Sequence, residues 1–300
     1  MGLATVSNNG GRRVGIVALL LLLGASLGAR GEGGHHIFWE VKGRNNTLYL
    51  LGSVHMLKPS DSALPAEVLH AYEQSKALVM ELDLNDLNAE ALLGSGLEST
   101  VLPEGQSLSE ILGPELYANL ETHAKSLGLE PEVMDRFQPW FAALLLEQTA
   151  LSQSGFEAGA GVDEQFAQRA QQDNKPIIAL ETADEQLGFF AHLPAEQQRQ
   201  YLRATLKDLD TEASDAAVMV SAWRRGDSAE LERLLRKESG KTPELFHMLT
   251  TERNRKWLPK LVALLSESQD YLVIVGALHL VGSDGLIELL KGQGFQAVQH

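Results

Sequence analysis

Two apolar runs near opposite ends of this 300-residue chain each end in the motif Gly-x-x-His, and this repetition constrains the fold more than any other feature. The first spans Leu48–His55 and the second spans Tyr271–His279. Each run predicts a strand, and the glycine after it permits a sharp turn or a close backbone approach that a Cβ atom would block. Because ligands of open α/β sheets bind beyond the carboxyl ends of the strands, both histidines are candidate site residues.

The remaining apolar pattern predicts an α/β fold. Predicted strands are Ile37–Val41, Thr47–Leu51, Ala77–Leu82, Ile177–Leu180, Tyr271–Val275 and Phe295–Val298. Predicted helices include Pro65–Ser75, Pro114–Leu127, Pro139–Ser152, Val162–Gln172, Thr242–Leu265 and Asp284–Lys291. The pairs that follow the two histidine motifs, Ser60-Asp61 and Ser283-Asp284, can cap the next helix. This order favours a mixed β-sheet with an N-terminal antiparallel hairpin and a large helical insertion.

Composition and charge exclude several classes of protein. Hydrophobic residues make up 44% of the chain, which is enough for a substantial core and too many for a disordered chain. The formal net charge of -15 at pH 7 argues against nucleic acid as a partner, because no broad basic face can form. The sequence contains no cysteine, so disulfide scaffolds and thiol nucleophiles are excluded. Any bound metal must be held by His, Asp, Glu, Asn or water.

The beginning of the chain has the layout of a secretory signal. Residues 1–13 contain no acid and end in two arginines, residues 14–23 are almost entirely apolar, and small residues follow at 24–29. We therefore predict a signal peptide at residues 1–29, a single domain at residues 30–300, and a periplasmic or secreted protein. The alternative is an uncleaved anchor, which would be the only contact with a membrane. Its apolar stretch is shorter than the roughly 20 residues needed to cross a bilayer.

Two glutamates at the ends of other predicted strands can join the histidines. If the four strands are parallel neighbours, His55, Glu81, Glu181 and His279 all emerge at one edge of the sheet. Imidazoles and carboxylates together suit a divalent ion such as Mn, Fe, Co or Zn, which can hold a water molecule and lower its pKa for hydrolysis. The structural alternatives are a hydrogen-bonded loop histidine and a solvated or helix-capping glutamate.

Further polar residues lie on the predicted helix Thr242–Leu265 and after a glycine-rich turn. Asn254 shares an apolar face of that helix, and Arg253 lies on the adjoining face. Arg253 either forms an internal salt bridge with a core carboxylate or holds a substrate carboxylate or developing oxyanion. Asp163 follows the turn at residues 159–161 and is either a helix N-cap or a site residue.

These motifs resemble those of the TraB/GumN family, which includes the Tiki proteins. The resemblance implies a fold related to erythromycin-esterase and ChaN-like proteins. From the Tiki members it implies a metal-dependent protease, with manganese or cobalt as the ion. It extends from about residue 38 to residue 298. The segments that carry it are residues 51–55, 81–83, 161–163, 180–182, 252–254 and 275–282.

Carried over residue by residue, the resemblance matches His55, Glu81 and His279 to the activity-linked motifs of the family. Arg253 and Asn254 match a further motif. We therefore predict an exported, metal-dependent hydrolase, most simply a peptidase acting on a peptide or protein substrate. The predicted metal ligands are His55, His279 and Glu181, and the predicted catalytic residues are Glu81, Arg253 and Asn254. The alternatives are a non-catalytic periplasmic ligand-binding module and a structural partner in an envelope assembly.

Overall fold

A computed structural model of the chain describes residues 36–84 and 98–300. The predicted signal segment, residues 1–29, lies outside the described residues. Six strands within the described part form one mixed sheet. They are β1 (Phe38–Lys42), β2 (Thr47–Ser53), β3 (Ala77–Met80), β4 (Ile177–Ala179), β5 (Tyr271–Gly276) and β6 (Ala297–Gln299).

The strand order in the sheet is β4-β3-β5-β2-β1-β6. The first four strands in this order run parallel to their neighbours, and β1 pairs antiparallel with both β2 and β6. The two strands that carry Gly-x-x-His lie side by side, with Leu48 opposite Tyr271 and Ser53 opposite Gly276. The predicted fold class is confirmed: a mixed sheet, an N-terminal antiparallel hairpin and a large helical insertion. The likeness to erythromycin-esterase and ChaN-like proteins stays a prediction.

The central strands are apolar along their whole length because both faces of the sheet are covered there. Every residue of β3 is buried, and so are the first five residues of β5. The edge strands β4 and β6 are short and expose Ile178 and Val298. Burial therefore concentrates under β3, β5 and β2, and the ends of these strands form a rigid support for side chains at the sheet edge.

Helices fill the connections, and most of them lie between β3 and β5. Apart from the sheet, a second apolar cluster forms within this insertion, where Leu120, Leu146 and Leu202 are fully buried. Within the described residues no helix has the length and apolar character of a membrane span. The helices are Ala66–Gln74, Leu108–Leu112, Pro114–Ser126, Pro131–Met134, Pro139–Gln153, Val162–Asp173, Ala183–Ala191, Ala195–Asp208, Glu212–Arg224, Ser228–Ser239, Pro243–Phe246, Arg253–Leu264 and Leu286–Gly292.

The helix predicted over Thr242–Leu265 is interrupted. A π-helical segment, His247–Glu252, separates Pro243–Phe246 from Arg253–Leu264. Single π turns inside α-helices are rare and occur often at functional sites, because they change which residues face inward. Here the π segment ends one residue before Arg253.

The predicted Ser-Asp caps are wrong. Asp61 lies inside a short 3-10 turn and forms an ion pair with Arg224. Asp284 forms an ion pair with Arg255, and the helix that follows begins after Gly285 without a side-chain cap. Both aspartates are used in tertiary ion pairs, which their position in the sequence does not show.

Candidate functional site

The strand order brings the four predicted site residues to one edge of the sheet. Because β4, β3, β5 and β2 are parallel neighbours, their carboxyl ends meet there. Glu81, Glu181 and His279 each contact the guanidinium of Arg253. His55, which follows β2, lies beside them across Gly276. The predicted juxtaposition of these strand ends is therefore present in the structure.

The first motif histidine is held by a buried aspartate. His55 Nδ1 lies 2.8 Å from Asp163 Oδ2, and Ser53 Oγ donates a 2.9 Å hydrogen bond to Asp163 Oδ1. Asp163 is the second residue of helix Val162–Asp173, whose N-cap is Gly161. A Cβ atom on Gly161 would lie 2.1 Å from the His55 carbonyl oxygen, so only glycine lets the helix approach this closely. Asp163 thus faces the site and is not the N-cap.

The pairing with Asp163 controls the charge of His55. Burial lowers the pKa of His55, but the charge of Asp163 and its hydrogen bond outweigh burial and raise the pKa to about 9. The imidazole side chain is 18% exposed. With Nδ1 directed at the carboxylate, the Nε2 atom is left facing the site.

The second motif histidine is buried and neutral. His279 is 2% exposed, and its Nδ1 atom lies 2.7 Å from Asn254 Oδ1. The Asn254 amide nitrogen donates to the backbone oxygens of His279 and Asp284, so its oxygen must face the ring and Nδ1 must carry the hydrogen. Burial is the main reason that the pKa of His279 falls to about 3. The lone pair on Nε2 then accepts from Arg253 Nη1 at 3.2 Å.

Arg253 lies at the centre of a buried ion-pair network. It is 1% exposed, and its Nη2 atom donates to one oxygen of Glu81 and, at 2.7 Å, to Glu181 Oε1. Its Nε atom donates to Glu181 Oε2 at 3.2 Å, and its guanidinium lies 4.6 Å from the ring centroid of Trp257. The sequence allowed two alternatives for Arg253, an internal salt bridge or a role in substrate binding. The network shown here is the internal salt bridge.

The two glutamates share this single positive charge unequally. Burial raises the pKa of Glu81, but Arg253, the two neighbouring imidazoles and the Gly276 N–H together outweigh burial, and the pKa falls to about 2. Gly276 N–H also donates to Glu81 Oε1, at 2.8 Å. Burial raises the pKa of Glu181, and here Arg253 offsets only part of the effect because Glu81 adds a like charge.

The space above Gly276 is where the two motifs and Glu81 converge. A Cβ atom built on Gly276 would lie 3.4 Å from Glu81 Oε1, 3.5 Å from His279 Cδ2 and 3.8 Å from His55 Nε2. A cavity of about 30 Å³, which is room for a water molecule, opens beside this point; both motif histidines and Gly276 line it, and Glu81 does not. The absence of a side chain at Gly276 thus leaves Glu81 and the two imidazoles close to one point with no side chain between them.

These donors fit a divalent ion in their chemistry. An oxygen acceptor orients Nδ1 of each histidine, as is usual for metal-ligating histidines, which leaves Nε2 as the other ring donor, and Glu81 supplies a carboxylate oxygen. In residues 36–84 and 98–300, however, no three His, Asp or Glu side chains are already positioned to hold a metal ion. Arg253 Nη1 lies at His279 Nε2, where an ion would bind.

Glu181, the third predicted metal ligand, has a different environment. Both of its oxygens accept from Arg253, and Oε2 also accepts from Trp257 Nε1 at 3.2 Å. Its side chain has no exposed surface. In this arrangement Glu181 is a partner of Arg253, and the donors that face the space above Gly276 are His55, Glu81 and His279.

Ser53 and Gln186, like Trp257, belong to the site and were not predicted. Ser53 orients Asp163, and the side-chain amide of Gln186 donates to Glu181 Oε1 at 3.2 Å and to Glu81 Oε2 at 3.4 Å. Ser53 is the residue directly after the first motif glycine, so its position was a usable signal. Gln186 lies in the helix that Thr182 caps directly after Glu181, which places its first turns near the sheet edge.

Comparison with known proteins agrees with the motifs. The chain is 29% identical over 247 residues to an uncharacterized protein, YbaP, of Escherichia coli (strain K12), covering 82% of this chain and 89% of that protein. It is 21% identical over 269 residues to an uncharacterized protein of Treponema pallidum, covering 85% and 80%.

A more distant relative carries a descriptive name. The chain is 22% identical over 317 residues to Metalloprotease TIKI1 of Danio rerio, covering 87% of this chain and 62% of that protein. No solved structure gives a significant match. The family model of the TraB/PrgY/gumN family matches residues 37–299. Because this match includes nearly all of the sequence after the predicted signal segment, the chain belongs to the TraB/PrgY/gumN family.

Proposed function

We propose that this chain is a metal-dependent hydrolase that cleaves peptide bonds. The observation that carries the proposal is the convergence of His55, Glu81 and His279 on the space above Gly276. The peptide as substrate and the need for a metal are supported by the distant relative named Metalloprotease TIKI1. The more similar relatives are uncharacterized.

The residues that would hold the ion are His55, through Nε2 once the ion displaces the proton that this ring carries at neutral pH, and Glu81, through Oε1. His279 Nε2 becomes available as a third donor if Arg253 Nη1 withdraws from it. A bound divalent ion polarises a substrate carbonyl and lowers the pKa of a water molecule. Mn, Co, Fe and Zn all accept a set of imidazole and carboxylate ligands, so the donors do not select one of them.

The surrounding residues position these groups and supply charge. Asp163 and Asn254 fix the two imidazole rings, so that His55 Nε2 lies near Gly276 and His279 Nε2 lies beside Arg253. Glu81 remains ionised at neutral pH and can accept a hydrogen bond from an attacking water. Arg253 Nη1 lies next to His279 Nε2 and can donate to a developing oxyanion.

The proposal is tested with the purified protein and a library of unstructured peptides. We expect cleavage that stops with a chelator and returns when Mn, Co, Fe or Zn is added singly. His55→Ala and His279→Ala should lose this cleavage, whereas His70→Ala, on the exposed face of helix Ala66–Gln74, should retain it. Full activity of folded His55→Ala would contradict the proposal. Absence of turnover, with metal-independent stabilisation by peptides, would favour a binding module instead.

We also propose that the protein is exported to the periplasm or the cell exterior. The support is the charged, apolar and small-residue layout of residues 1–29. Cell fractionation with intact mass measurement should recover a protein that begins near residue 30 outside the cytoplasm. A full-length chain in the cytoplasmic fraction would contradict export, and a full-length chain in the membrane fraction would identify an uncleaved anchor.

A further inference from the structure

A small cavity lies directly beside the convergence of the two Gly-x-x-His motifs. Its volume is about 30 Å³, and both motif histidines and Gly276 line it. Met219, from helix Glu212–Arg224, and Thr250, from the π segment, complete the wall together with residues of the two strand exits. The cavity therefore belongs to the same edge of the sheet as the proposed site.

The cavity opens on the side of the proposed chemistry. Among the described residues that line it, only His55, Gly276 and Leu278 are partly exposed, and the others are buried. His55 Nε2 and Glu81 Oε1 both lie close to the point where a Cβ atom of Gly276 would stand. A substrate that contacts these two groups therefore lies at the mouth of the cavity.

Most of the cavity wall is apolar, and its polar side chains are largely bonded already. Ser53 Oγ and Thr250 Oγ1 donate their hydrogens to acceptors that do not line the cavity. Both ring nitrogens of His279 have partners as well, which leaves the Nε2 atom of His55. A buried water molecule needs about three polar partners, so a small apolar group suits this space better than water does.

The size of the cavity limits what can enter it. A space of about 30 Å³ holds one group as large as a water molecule or a methyl group. Val54, Met219 and Ala277 form its inner wall, and all three are buried in the main apolar core. Because a packed core accepts added methylene groups only at a cost in free energy, a side chain larger than that of alanine would have to displace this wall.

We propose that this cavity receives the side chain of one substrate residue next to the cleaved bond, and that its size restricts this residue to alanine or glycine. Met219 sets the limit, because its long side chain is the part of the wall that helix Glu212–Arg224 contributes. The inference rests on the proposed peptidase function and adds a substrate class to it: peptides with a methyl-sized side chain beside the bond that is cleaved.

The first measurement is equilibrium binding of four fluorescein-labelled octapeptides, in a chelator that prevents metal-dependent cleavage. One central position holds Gly, Ala, Leu or Phe, and all other positions hold Gln or Thr, so that no second small side chain can enter the cavity. We expect the Ala peptide to bind about tenfold or more tightly than the Leu and Phe peptides. The Gly peptide should bind a few-fold more weakly than the Ala peptide, since it leaves the cavity unfilled.

Met219→Ala enlarges the cavity, and it should raise the affinity for the Leu peptide to at least that for the Ala peptide. The matched control is Met134→Ala. Both methionines are buried, but Met134 lies in the second apolar cluster, within the insertion, and does not line the cavity. The control should keep the wild-type preference, and circular dichroism establishes that both variants are folded.

A second variant, Leu278→Ala, shortens a half-buried side chain at the mouth and should weaken the preference for Ala in the same direction. It keeps the test decisive if Met219→Ala does not fold. Equal affinity for the Ala, Leu and Phe peptides would overturn the inference, and so would the absence of binding to all four peptides. A wild-type preference in every folded cavity variant would overturn it as well.

Cleavage of the same peptides is measured separately, with metal added. Preferential binding of the Ala peptide without any cleavage would support the role of the cavity and refute the peptidase. Cleavage of all four peptides at equal rates, with equal affinities, would support the peptidase and refute the role of the cavity. The two proposals can therefore fail independently.

Discussion

Arg253 brings one positive charge to two buried carboxylates, and this imbalance organises the residues around it. Glu81 receives further donors, from Gly276 N–H and Gln186, and stays ionised. Glu181 is compensated mainly by Arg253 and Trp257. Buried ion pairs add little net stability when complete, but an unpaired buried charge is costly. The network therefore fixes the geometry of the site more than it stabilises the fold.

Arg253→Met should lower the free energy of unfolding by about 3–5 kcal/mol, because it leaves Glu81 and Glu181 buried without their cation. The control is Arg255→Met, two residues along the same helix. It breaks the exposed pair with Asp284 and should cost less than about 1 kcal/mol. Urea denaturation measures both changes. Equal effects of the two substitutions would show that the buried network is not as described.

Adding Glu81→Gln and Glu181→Gln to Arg253→Met should recover part of the lost stability. The two substitutions remove the uncompensated charges while keeping side-chain volume. The triple variant and the single variant are compared in the same urea experiment. If the triple variant is less stable than Arg253→Met alone, buried charge is not the cause of the loss.

The pair of His55 and Asp163 makes stability depend on pH in a defined direction. The folded-state pKa of His55, about 9, lies above its ordinary value of 6.5. The pair thus contributes its full stabilisation below pH 6.5 and loses it as pH rises through 9. Asp163→Asn should abolish this part of the pH dependence and lower the pKa of His55, since burial then acts without the carboxylate.

The measurement is the free energy of unfolding from pH 5 to pH 10 in the presence of a chelator, together with an NMR titration of the His55 ring. Ser53→Ala is the control, because it removes one hydrogen bond to Asp163 without removing its charge. We expect Ser53→Ala to keep the pH dependence. A His55 pKa that stays near 9 in Asp163→Asn would contradict the assignment.

At the scale of elements, the two strand-exit glycines have different roles. A Cβ atom on Gly52 would lie 2.3 Å from Ile37 Cγ2 and 2.9 Å from Ala277 Cα, so Gly52 permits close packing between β2 and its neighbours. The Cβ atom of an alanine at Gly276 meets only ordinary contacts, and its φ of -49° suits any residue. Packing therefore does not require glycine at position 276, and on the proposed function this glycine keeps space open beside His55, Glu81 and His279.

Gly52→Ala should lower the free energy of unfolding by about 1–3 kcal/mol, because the added methyl group overpacks the sheet. Gly276→Ala should change stability by less than about 1 kcal/mol. Urea denaturation of the two variants, which carry the same substitution at equivalent motif positions, makes the comparison direct. A larger loss for Gly276→Ala than for Gly52→Ala would show that the roles of the glycines are reversed.

The central strands were predictable because each is a short apolar run that the sheet buries on both faces. The grouping of Glu81, Glu181 and the two histidines at the carboxyl ends of the parallel strands was also predictable, since each of these residues closely follows an apolar run. The π segment His247–Glu252 could not be predicted, because its residues fit the same helical spacing as their neighbours. The aspartates of the two Ser-Asp pairs form ion pairs with arginines that are distant in sequence. The residues around each pair therefore could not predict this outcome.

At the scale of the whole molecule, the sheet joins the ends of the described domain. β5, from the last part of the chain, lies between β2 and β3, and β6 pairs with β1. The catalytic interpretation of His55, Glu81 and His279 depends on this pairing of strands from the two ends of the chain. The spacing of the motifs in the sequence suggested the pairing but could not demonstrate it. The sequence allowed two roles for Arg253, because the burial of its side chain depends on the tertiary structure and cannot be derived from the residues next to it.

Because strands from both ends of the chain pair in one sheet, we predict that residues 30–300 unfold as a single unit. Trp257 contacts His279 at the site, whereas Trp140 stacks on Phe190 in a separate apolar cluster of the insertion. In urea, tryptophan fluorescence and far-UV circular dichroism should give coincident transitions. Single-tryptophan variants that retain only Trp140 or only Trp257 should report the same midpoint. Two resolved midpoints would indicate two independent domains.

The most direct test of the site is the rate of peptide cleavage by Gly276→Ala, compared with wild type on a peptide that the wild type cleaves. The added methyl group occupies the space beside His55, Glu81 and His279 and leaves those residues in place. We predict that kcat/KM falls about a hundredfold, because the methyl group keeps the substrate out of its reacting position against these side chains, while the unfolding midpoint stays unchanged. Wild-type kcat/KM in folded Gly276→Ala would contradict the placement of the chemistry above Gly276.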